Sequence, residues 1–245
     1  METIRIQIIN YKTKKYLVSC LSSLQADLDN SRFGYSVAIL DNASGDDLSD
    51  IGSLFPTLEN LEICQGAKNI GYGAGLNFLS KKSEARFLFF LNPDVRIIEN
   101  KTIDRLVNRI DDSKVQVVGP RLITEHGNTQ PWDHGELHGQ IARDALNSGH
   151  SHWLEREELT VAAWVSGAAL LIDRNWFHGL GGFDENFFLY KEEEDLCWRL
   201  RGKHGKILYD PTITILHHGG VVAQKKQHMQ KSVDYFITKH IQKNS

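Results

Sequence analysis

The chain has 245 residues, a length that fits one large domain or one domain with a small appendage. Hydrophobic residues make up 41% of it, so a full core can form, which excludes a mainly disordered chain and a disulfide-stapled miniprotein. The 28 basic and 31 acidic residues give a net charge of −3, which argues against a dedicated nucleic-acid binder. The longest apolar runs, at 87–91 and 168–172, are much shorter than the roughly 18 residues of a membrane span.

The N-terminal residues alternate as in a strand and lack the basic start, apolar middle and cleavage site of a secretory signal. Three cysteines, Cys20, Cys64 and Cys197, lie far apart, each in an apolar segment. This pattern predicts reduced, buried thiols in a reducing compartment, with a metal or redox role as the alternative. We therefore expect a cytosolic protein.

The first half alternates strand-like and helix-like patterns. Strands are predicted at 5–10, 36–40, 61–64 and 87–91, and helices at 16–24, at 48–54 and from residue 73 onward. The strand at 87–91 is apolar throughout, which is typical of a central strand covered on both faces. Strands that alternate with helices indicate an α/β fold with a parallel sheet and crossover helices.

The second half is less regular, and residues 125–158 are polar without a clear period. Helices are predicted at 102–110 and 192–204, strands at 115–118, 168–172, 207–209 and 213–216, and a turn at 179–183. Because no internal repeat or low-complexity linker interrupts the chain, we expect a single composite domain.

Polar residues follow three of the predicted strands: Asn10, Tyr11, Asp41, Asn42, Asn92 and Asp94. Ligands of parallel sheets bind outside the carboxyl ends of the strands, so these residues predict one acidic, amide-rich mouth. Asp94 follows the most buried strand and suits a hard cation such as Mg²⁺ or Mn²⁺, which also takes oxygen ligands from substrate phosphates. An Asn-Pro-Asp turn that merely ends a strand is the alternative.

Residues 69–75, Asn-Ile-Gly-Tyr-Gly-Ala-Gly, fail the test for a dinucleotide-binding fingerprint. Their spacing is GxGxG rather than GxGxxG, and they follow the third strand instead of the first. Two interpretations remain open. The glycines let the backbone approach a ligand at a helix N-terminus, or they form a purely structural turn.

Four consecutive acids at 192–195 follow an aromatic run at 187–190 and occupy the expected first turn of a helix. One interpretation is that they complement the helix dipole. The other is that the aromatic run desolvates one of them and raises its pKa towards that of a general base. Downstream, His217 and His218 end a short strand, and either complete a divalent metal site or lie there incidentally.

Together these segments resemble the inverting glycosyltransferases of family 2, which have the GT-A nucleotide-sugar fold, and within them the rhamnosyltransferase-like branch that builds bacterial surface polysaccharides. The matching segments follow the family order at residues 8–11, 40–46, 69–77, 91–94, 164–172, 182–199 and 217–220. The resemblance implies a mostly parallel central sheet flanked by helices, with a smaller mixed sheet on the acceptor side. It divides the single domain, 1–245, into a nucleotide-sugar-binding half (1–119), an acceptor and catalytic half (120–226) and a C-terminal amphipathic helix (227–245).

The resemblance also implies roles for individual positions. The residues that would bind a UDP- or dTDP-sugar are Asn10, Tyr11, Asp41, Asn69, Gly71, Asn92 and Asp94, with Asp41 on the imide of the base. Asp94 and His217 would hold Mn²⁺ or Mg²⁺. Trp164, Ser166 and Gly167 would border a saccharide or lipid-linked saccharide acceptor, and the candidate bases are Glu192, Glu193 and Asp195, with Glu193 at the usual base position.

Glu193 departs from the family pattern because relatives customarily have Asp at this position. The extra methylene moves the carboxylate by about one C–C bond, and misplacement of that size can cost about a hundredfold in rate. The segment after His217 also lacks the serine-rich and arginine-rich tail often seen in relatives. Stabilisation of the leaving group by Lys225 or Lys226 is therefore a hypothesis.

Two further segments allow alternatives. The histidine-rich stretch contains His126, His134, His138, His150 and His152. It is interpreted in one of three ways: as an acceptor-side loop in which Trp132 and Trp153 stack on a sugar, as plain surface, or as a structural zinc site. The C-terminal helix either packs on its own domain through its apolar face or uses its lysines for peripheral contact with an anionic membrane.

Three classes of function follow from these residues. The first is a metal-dependent inverting glycosyltransferase that moves rhamnose or a similar sugar. It would be cytoplasmic, lie at the inner face of the membrane if its acceptor is lipid-linked, and have no nucleic-acid partner. The second is a nucleotide-sugar-binding domain without turnover, which the Glu193 substitution makes conceivable. The third is a sugar nucleotidyltransferase, although that class normally has a glycine-rich basic loop after the first strand. We expect the first.

Overall fold

The computed structural model describes residues 2–58, 60–137, 153–221 and 225–242. The strands in these ranges are β1 (Glu2–Asn10), β2 (Gly34–Asp41), β3 (Leu61–Gln65), β4 (Phe87–Leu91), β5 (Val95–Ile97), β6 (Val117–Ile123), β7 (His134–Gly135), β8 (Thr160–Val161), β9 (Trp164–Val165), β10 (Ala169–Asp173) and β11 (Ile207–His217). The helices are α1 (Lys14–Leu28), α2 (Ile51–Leu54), α3 (Tyr72–Ser80), α4 (Thr102–Ser113), α5 (Arg174–Gly179), α6 (Glu192–Gly202) and α7 (Lys225–His240).

Within the described ranges, nine strands form one sheet in the order β3-β2-β1-β4-β10-β6-β11-β5, and β8 pairs with β11. Strands β1 to β4 run parallel to one another, β6 is parallel to β11, and β10 enters antiparallel between β4 and β6. The α/β architecture and the mostly parallel sheet are therefore confirmed. The smaller sheet, β7 with β9, is purely antiparallel rather than mixed.

Two apolar cores, one on each face of the sheet, hold the helices in place. Successive side chains of β4 point to opposite faces, so Phe87 and Phe89 belong to the core under α1 and α4, while Leu88 and Phe90 belong to the core under α3 and α6. An all-apolar strand is the pattern that two covered faces require. The predicted position of 87–91 as a central strand is correct.

The turn expected at 179–183 is present at 180–183, and it follows a short helix, α5, that was not predicted and that begins where the Asp173 carboxylate accepts hydrogen bonds from two backbone N–H groups. Two local expectations are wrong. Residues 207–216 form part of one strand, because Pro211 sits at a register shift between Asp210 and Thr214 that accommodates it without a break. Cys64 is only half-buried on the edge strand β3, whereas Cys20 and Cys197 are buried thiols as predicted.

The C-terminal helix α7 packs on its own domain. Val233 and Phe236 are buried, and the Ser232 hydroxyl donates to the Leu189 carbonyl at 2.8 Å. Lys239, one of the lysines predicted to face a membrane, instead contacts Asp184 at 2.6 Å. These contacts favour the first alternative for this helix, and membrane contact stays a prediction.

Among the helices of the described ranges, none is both long and apolar enough to cross a bilayer. The sheet draws strands from both halves of the chain, and the division at 119 and 226 stays a prediction. His138, His150, His152 and Lys243 lie outside the described residues, as do the side chains of Lys225 and Lys226.

Candidate active site

Asp94 and His217 meet at the edge of the sheet because the strands that carry them are neighbours. Asp94 lies in the turn between β4 and β5, and His217 is the last residue of β11, where it pairs with Val95. The His217 Nε2 atom is 3.4 Å from the Asp94 Oδ1 atom, and both side chains are largely buried. The structure thus brings together the two predicted metal ligands.

Gln130 fixes the orientation of the His217 ring. The Gln130 side-chain nitrogen donates to the His217 carbonyl at 2.6 Å, which leaves its Oε1 atom as the acceptor for His217 Nδ1 at 2.7 Å. The proton on Nδ1 therefore points to Gln130, and Nε2 turns its lone pair towards the Asp94 carboxylate. Two electron-pair donors at 3.4 Å need a proton or a cation between them.

The residues at this point fit a hard divalent cation. Burial alone would raise the pKa of Asp94, but a hydrogen bond and a positive charge from His217, which act when a proton rather than a cation lies at Nε2, outweigh burial and lower the pKa, so the carboxylate is ionised at neutral pH. No group of three or more His, Cys, Asp or Glu side chains within the described ranges could hold a metal by itself. Two protein ligands leave the other coordination positions of an ion such as Mg²⁺ to oxygen ligands from outside the protein.

Asn10 and Asp41, expected to contact the nucleotide, have no exposed surface in this structure. The Asn10 amide donates to Asp41 Oδ1 at 2.9 Å, and the remaining acceptor sites of Asp41 take hydrogen bonds from Ser44 and Gln65. This differs from the expectation of a direct contact between Asp41 and a base, since a base would have to displace Gln65. Tyr11 and Asn92, by contrast, are half-buried and reach the surface of the mouth.

The glycine-rich segment forms a turn that packs against the chain itself. Gly71 has a φ of 90°, and a Cβ atom there would lie 2.5 Å from the Phe188 carbonyl oxygen. Asn69 accepts hydrogen bonds at 2.9 Å from the Asn42 amide and from the Gly71 N–H. These contacts favour the structural interpretation of Gly71, because its neighbour is the 188 backbone rather than an open cleft.

The acidic run begins α6 as predicted, and two of its carboxyls have raised pKa values. Burial, followed by the charge of Glu194, raises the pKa of Glu193 to about 7. Burial and the charge of Glu193 raise the pKa of Glu192 well above its usual range. The Oε2 atoms of Glu192 and Glu193 are buried and have no hydrogen-bond partner among the described residues. Desolvation therefore outweighs the helix dipole at these positions.

Asp195, the third predicted base, lies in a network of cations. Its carboxylate contacts Arg199 at 2.8 Å, His240 at 2.7 Å and Lys239, so it joins α6 to the C-terminal helix α7. Burial alone would raise its pKa, but the hydrogen bond from His240 and the charge of Arg199 lower it. A carboxylate held by two cations, Arg199 and Lys239, and hydrogen-bonded by an imidazole is a poor proton acceptor at neutral pH.

The predicted acceptor residues differ in accessibility. Gly167 lies beside Glu193, since a Cβ atom on it would be 3.8 Å from the Glu193 carboxyl carbon, and Ser166 is half-exposed. Trp164, however, is only 7% exposed and packs in the core, so it does not present its ring to an acceptor.

The tryptophans and histidines of the polar segment also separate. Trp132 is 61% exposed, whereas the Trp153 indole donates to Asp133 at 2.8 Å. His134 is fully buried in β7 and contacts the Asp133 carboxylate at 2.7 Å, so it is part of the core rather than of an acceptor loop. His126 is exposed.

Sequence reasoning missed two residues of this site, Gln130 and Tyr72. Gln130 lies in the irregular segment, where no period indicates which side chain turns inward. Tyr72 stands inside the glycine-rich motif, and its hydroxyl donates to the Gly167 carbonyl at 2.7 Å. A large aromatic residue among glycines was the available signal.

Comparison with known proteins identifies the family of this chain. A model of glycosyl transferase family 2 matches residues 6–193. The chain belongs to this family. It is 26% identical over 242 residues to the N-acetylglucosaminyl-diphospho-decaprenol L-rhamnosyltransferase of Mycobacterium tuberculosis, covering 89% of this chain and 76% of that protein. It is 24% identical over 179 residues to the O-antigen biosynthesis protein RfbC of Myxococcus xanthus, covering 68% of this chain but only 13% of the relative.

Solved structures of glycosyltransferases share the GT-A fold of this family 2 chain. The mannosyltransferase PcManGT of Pyrobaculum calidifontis, in complex with GDP-Man and Mn²⁺, has a TM-score of 0.68 at 14% identity, over 98% of this chain and 63% of that one. S. aureus TarS in complex with UDP-GlcNAc has a TM-score of 0.64 at 17% identity, over 96% of this chain and 66% of that one. At such identities the likeness establishes the fold alone.

Proposed function

We propose that this family 2 glycosyltransferase inverts the anomeric centre as it moves rhamnose or a similar sugar from a UDP- or dTDP-sugar to a saccharide or lipid-linked saccharide. The observation that carries the proposal is the Asp94–His217 pair together with a carboxyl, Glu193, whose pKa is about 7. Tyr72 connects the two, because the charges of Glu192, Glu193 and Asp94 all act on its hydroxyl. The relative named N-acetylglucosaminyl-diphospho-decaprenol L-rhamnosyltransferase acts, by its name, on a lipid-linked acceptor, and this supports the proposed sugar and acceptor class.

In this proposal, Asp94 and His217 hold Mn²⁺ or Mg²⁺ at the carboxyl edge of the sheet. Such an ion neutralises the negative charge that develops on a departing diphosphate. Asp94 supplies an ionised carboxylate, and His217 supplies the lone pair of Nε2. This lone pair is available because the ring proton is on Nδ1, where it is hydrogen-bonded to Gln130 Oε1. Asn92, whose backbone N–H donates to the Ala168 carbonyl at 2.9 Å, keeps this turn next to the acceptor side.

Glu193 is the proposed general base. Its carboxylate takes the proton of an acceptor hydroxyl while that oxygen forms a bond to the anomeric carbon, and the bond from this carbon to the diphosphate oxygen breaks. A single displacement of this kind inverts the configuration. A pKa of about 7 suits proton transfer at neutral pH. We assign Asp195 to anchoring α6, since Arg199, Lys239 and the imidazole of His240 already hold its carboxylate.

The test is a transfer assay with a panel of UDP-, dTDP- and GDP-sugars and Mn²⁺, for the wild-type chain and Glu193→Gln. We expect the variant to lose at least about a hundredfold in kcat and to keep the dissociation constant of the donor within about twofold. Glu84→Gln is the matched control, because the Glu84 side chain is 90% exposed. Near-full transfer by Glu193→Gln would assign the base to Glu192 or to another group.

The two rival functions give different results in the same experiment. A binding domain without turnover would bind a nucleotide sugar but release no nucleoside diphosphate, even slowly by hydrolysis. A nucleotidyltransferase would consume a nucleoside triphosphate and a sugar phosphate and release pyrophosphate. Either outcome would contradict the proposed transfer reaction.

A further inference from the structure

We infer that Tyr72 is a positioning residue, whose hydroxyl holds the turn at 166–168 and through it places the carboxyl of Glu193. The inference rests on the proposed function insofar as Glu193 is the base. It concerns a contact between the glycine-rich segment and the acceptor-side turn, which lie far apart in the sequence.

Tyr72 is fixed at both of its ends. Its backbone N–H donates to the Phe188 carbonyl at 3.0 Å, which ties the start of α3 to the loop before α6. Its hydroxyl donates to the Gly167 carbonyl at 2.7 Å. The ring also lies against this residue, since a Cβ atom on Gly167 would be 3.5 Å from the Tyr72 Cε1 atom. The side chain therefore extends from the first residue of α3 to one peptide group of the turn.

That turn is the immediate neighbour of the base. A Cβ atom on Gly167 would lie 3.7 Å from the Glu193 Cβ atom and 3.8 Å from its carboxyl carbon, and the neighbouring Gly167 N–H lowers the pKa of Glu193 against the effect of burial. Backbone hydrogen bonds hold the two flanking residues: Ser166 N–H to the Asp133 carbonyl at 2.9 Å, and Asn92 N–H to the Ala168 carbonyl. The Tyr72 hydroxyl is the side-chain contact to the carbonyl of the central residue.

The hydroxyl of Tyr72 keeps its proton over the pH range of the experiment. Burial, followed by the charges of Glu192, Glu193 and Asp94, raises the pKa of Tyr72 well above its usual value. The ionisable groups that act on Glu193, or on which it acts, are Lys191, Glu192, Glu194, Tyr72, Tyr190 and Cys197. Tyr72 is the one among these that also bonds the turn at 166–168.

Removal of the hydroxyl has a defined consequence at Glu193. In Tyr72→Phe the ring still fills its site, but the Gly167 carbonyl loses the hydroxyl that holds it, so the backbone of the turn at 166–168 is less restrained. A shift of the Gly167 backbone moves its N–H, which belongs to the preceding peptide group, away from the Glu193 carboxylate, so the ionised form loses support and the pKa of Glu193 rises. We expect the acidic limb of kcat to move to higher pH and kcat at pH 7 to fall about three- to tenfold, with little change in the KM of the donor.

The experiment follows the carboxyl directly, so that it does not depend on transfer activity. The chain is labelled with ¹³C at the glutamate carboxyls, the resonance of Glu193 is assigned from its absence in Glu193→Gln, and its titration is recorded by NMR. Tyr72→Phe is compared with the wild type and with Tyr35→Phe, whose hydroxyl donates weakly to the Thr57 carbonyl at 3.4 Å on an exposed surface. Folded and unfolded resonances are separate, so a loss of stability does not obscure the result.

An upward shift of the Glu193 titration in Tyr72→Phe, absent in Tyr35→Phe, is the expected result. Identical titrations in Tyr72→Phe and the wild type would overturn the positioning role. Kinetics distinguish this from the proposed function. A shifted titration in a chain that transfers no sugar would reject the glycosyl-transfer proposal and leave the contact, whereas normal Glu193-dependent transfer with an unshifted titration would reject the role of Tyr72 alone.

Discussion

His217 and Asp94 face each other across neighbouring strands with the Nε2 and Oδ1 atoms 3.4 Å apart, and Gln130 holds the imidazole so that its lone pair points at the carboxylate. This relationship exists because His217 pairs with Val95, the residue after Asp94, in the β11–β5 ladder. The pairing register therefore determines the position of both side chains.

The first prediction concerns Asp94→Asn, which keeps the shape of the side chain and removes its charge. We expect kcat/KM with saturating Mn²⁺ to fall about a hundredfold, because an amide holds a hard cation far less well than a carboxylate. The measurement is the dependence of transfer on Mn²⁺ concentration. Asp112→Asn, at an exposed position of α4, is the control. An unchanged metal dependence in Asp94→Asn would remove the basis for a cation at this pair.

How much of this could be read from the sequence depends on whether the signal is local. The strand at 87–91 and the helix start at Glu192 follow from runs of one residue type, and the structure has both where they were expected. The sequence order of the family motifs placed Asp94 and His217 in one site. For the strand and the helix start, a residue's neighbours along the chain define its surroundings, whereas Asp94 and His217 are distant in the chain and only the family resemblance predicted that they meet.

The failures have a common physical cause in contacts between distant segments. Pro211 suggested a break in β11, but the sheet tolerates it at a register shift against β6. Gly71 suggested a ligand surface, but the close neighbour is the Phe188 backbone. Asp195 resembled its acidic neighbours in the sequence, and only the docking of α7 shows that Lys239 and His240 hold it. No local pattern contains these pairings.

The second prediction is a pH-dependent gain in stability for Glu193→Gln. The folded chain raises the pKa of Glu193 from 4.5 to about 7, so the folded state binds this proton more tightly than the unfolded state. The wild type therefore loses stability as the pH rises from about 4.5 to about 7, and the loss is complete above that. After allowance for partial solvent screening, we expect the variant to gain about 1–2 kcal/mol on the wild type between pH 5 and pH 8.

Urea unfolding at pH 5 and pH 8 measures this difference. Glu84→Gln is again the control, because a carboxyl that is 90% exposed should give the same free energy of unfolding relative to the wild type at both pH values. If the Glu193→Gln difference did not grow with pH, the carboxyl would be ionised normally in the folded chain and its fitness as a neutral-pH base would be lost.

The third prediction separates the structural acid from the proposed base. Asp195 is fully buried beside Arg199, Lys239 and His240, so Asp195→Asn leaves the two cations, Arg199 and Lys239, without their counter-charge. We expect a loss of about 2–4 kcal/mol in the free energy of unfolding, with kcat of the folded enzyme within about threefold of the wild type. Asp234→Asn, at an exposed position of α7, the helix that carries Lys239 and His240, should change neither the stability nor kcat. A hundredfold loss of kcat without a loss of stability would place Asp195 in the chemistry.

The fourth prediction uses two glycines that share a positive φ and differ in their surroundings. Gly71 and Gly127 have φ values of 90° and 79°, so alanine is strained at both, at a cost of about 1 kcal/mol or more. The ψ of Gly71 is 173°, a combination that essentially only glycine adopts, which adds to the cost at this position. A Cβ atom on Gly127 would have no described residue beyond its chain neighbours within 4 Å, whereas on Gly71 it would lie 2.5 Å from the Phe188 carbonyl oxygen. We expect Gly71→Ala to cost about 2 kcal/mol more than Gly127→Ala, since backbone has to move to relieve the overlap.

Thermal and urea unfolding of the two variants give this comparison directly, and a donor-binding measurement extends it. The Phe188 carbonyl also accepts from the Tyr72 N–H, so displacement of the 188 backbone in Gly71→Ala disturbs the contact that begins α3 beside Glu193. Gly71→Ala should therefore lose transfer activity while Gly127→Ala keeps it. Equal stabilities for the two variants would mean that the loop before α6 moves without a loss of stability. The packing of Phe188 on Gly71 would then not hold α6, which carries Glu193, in place.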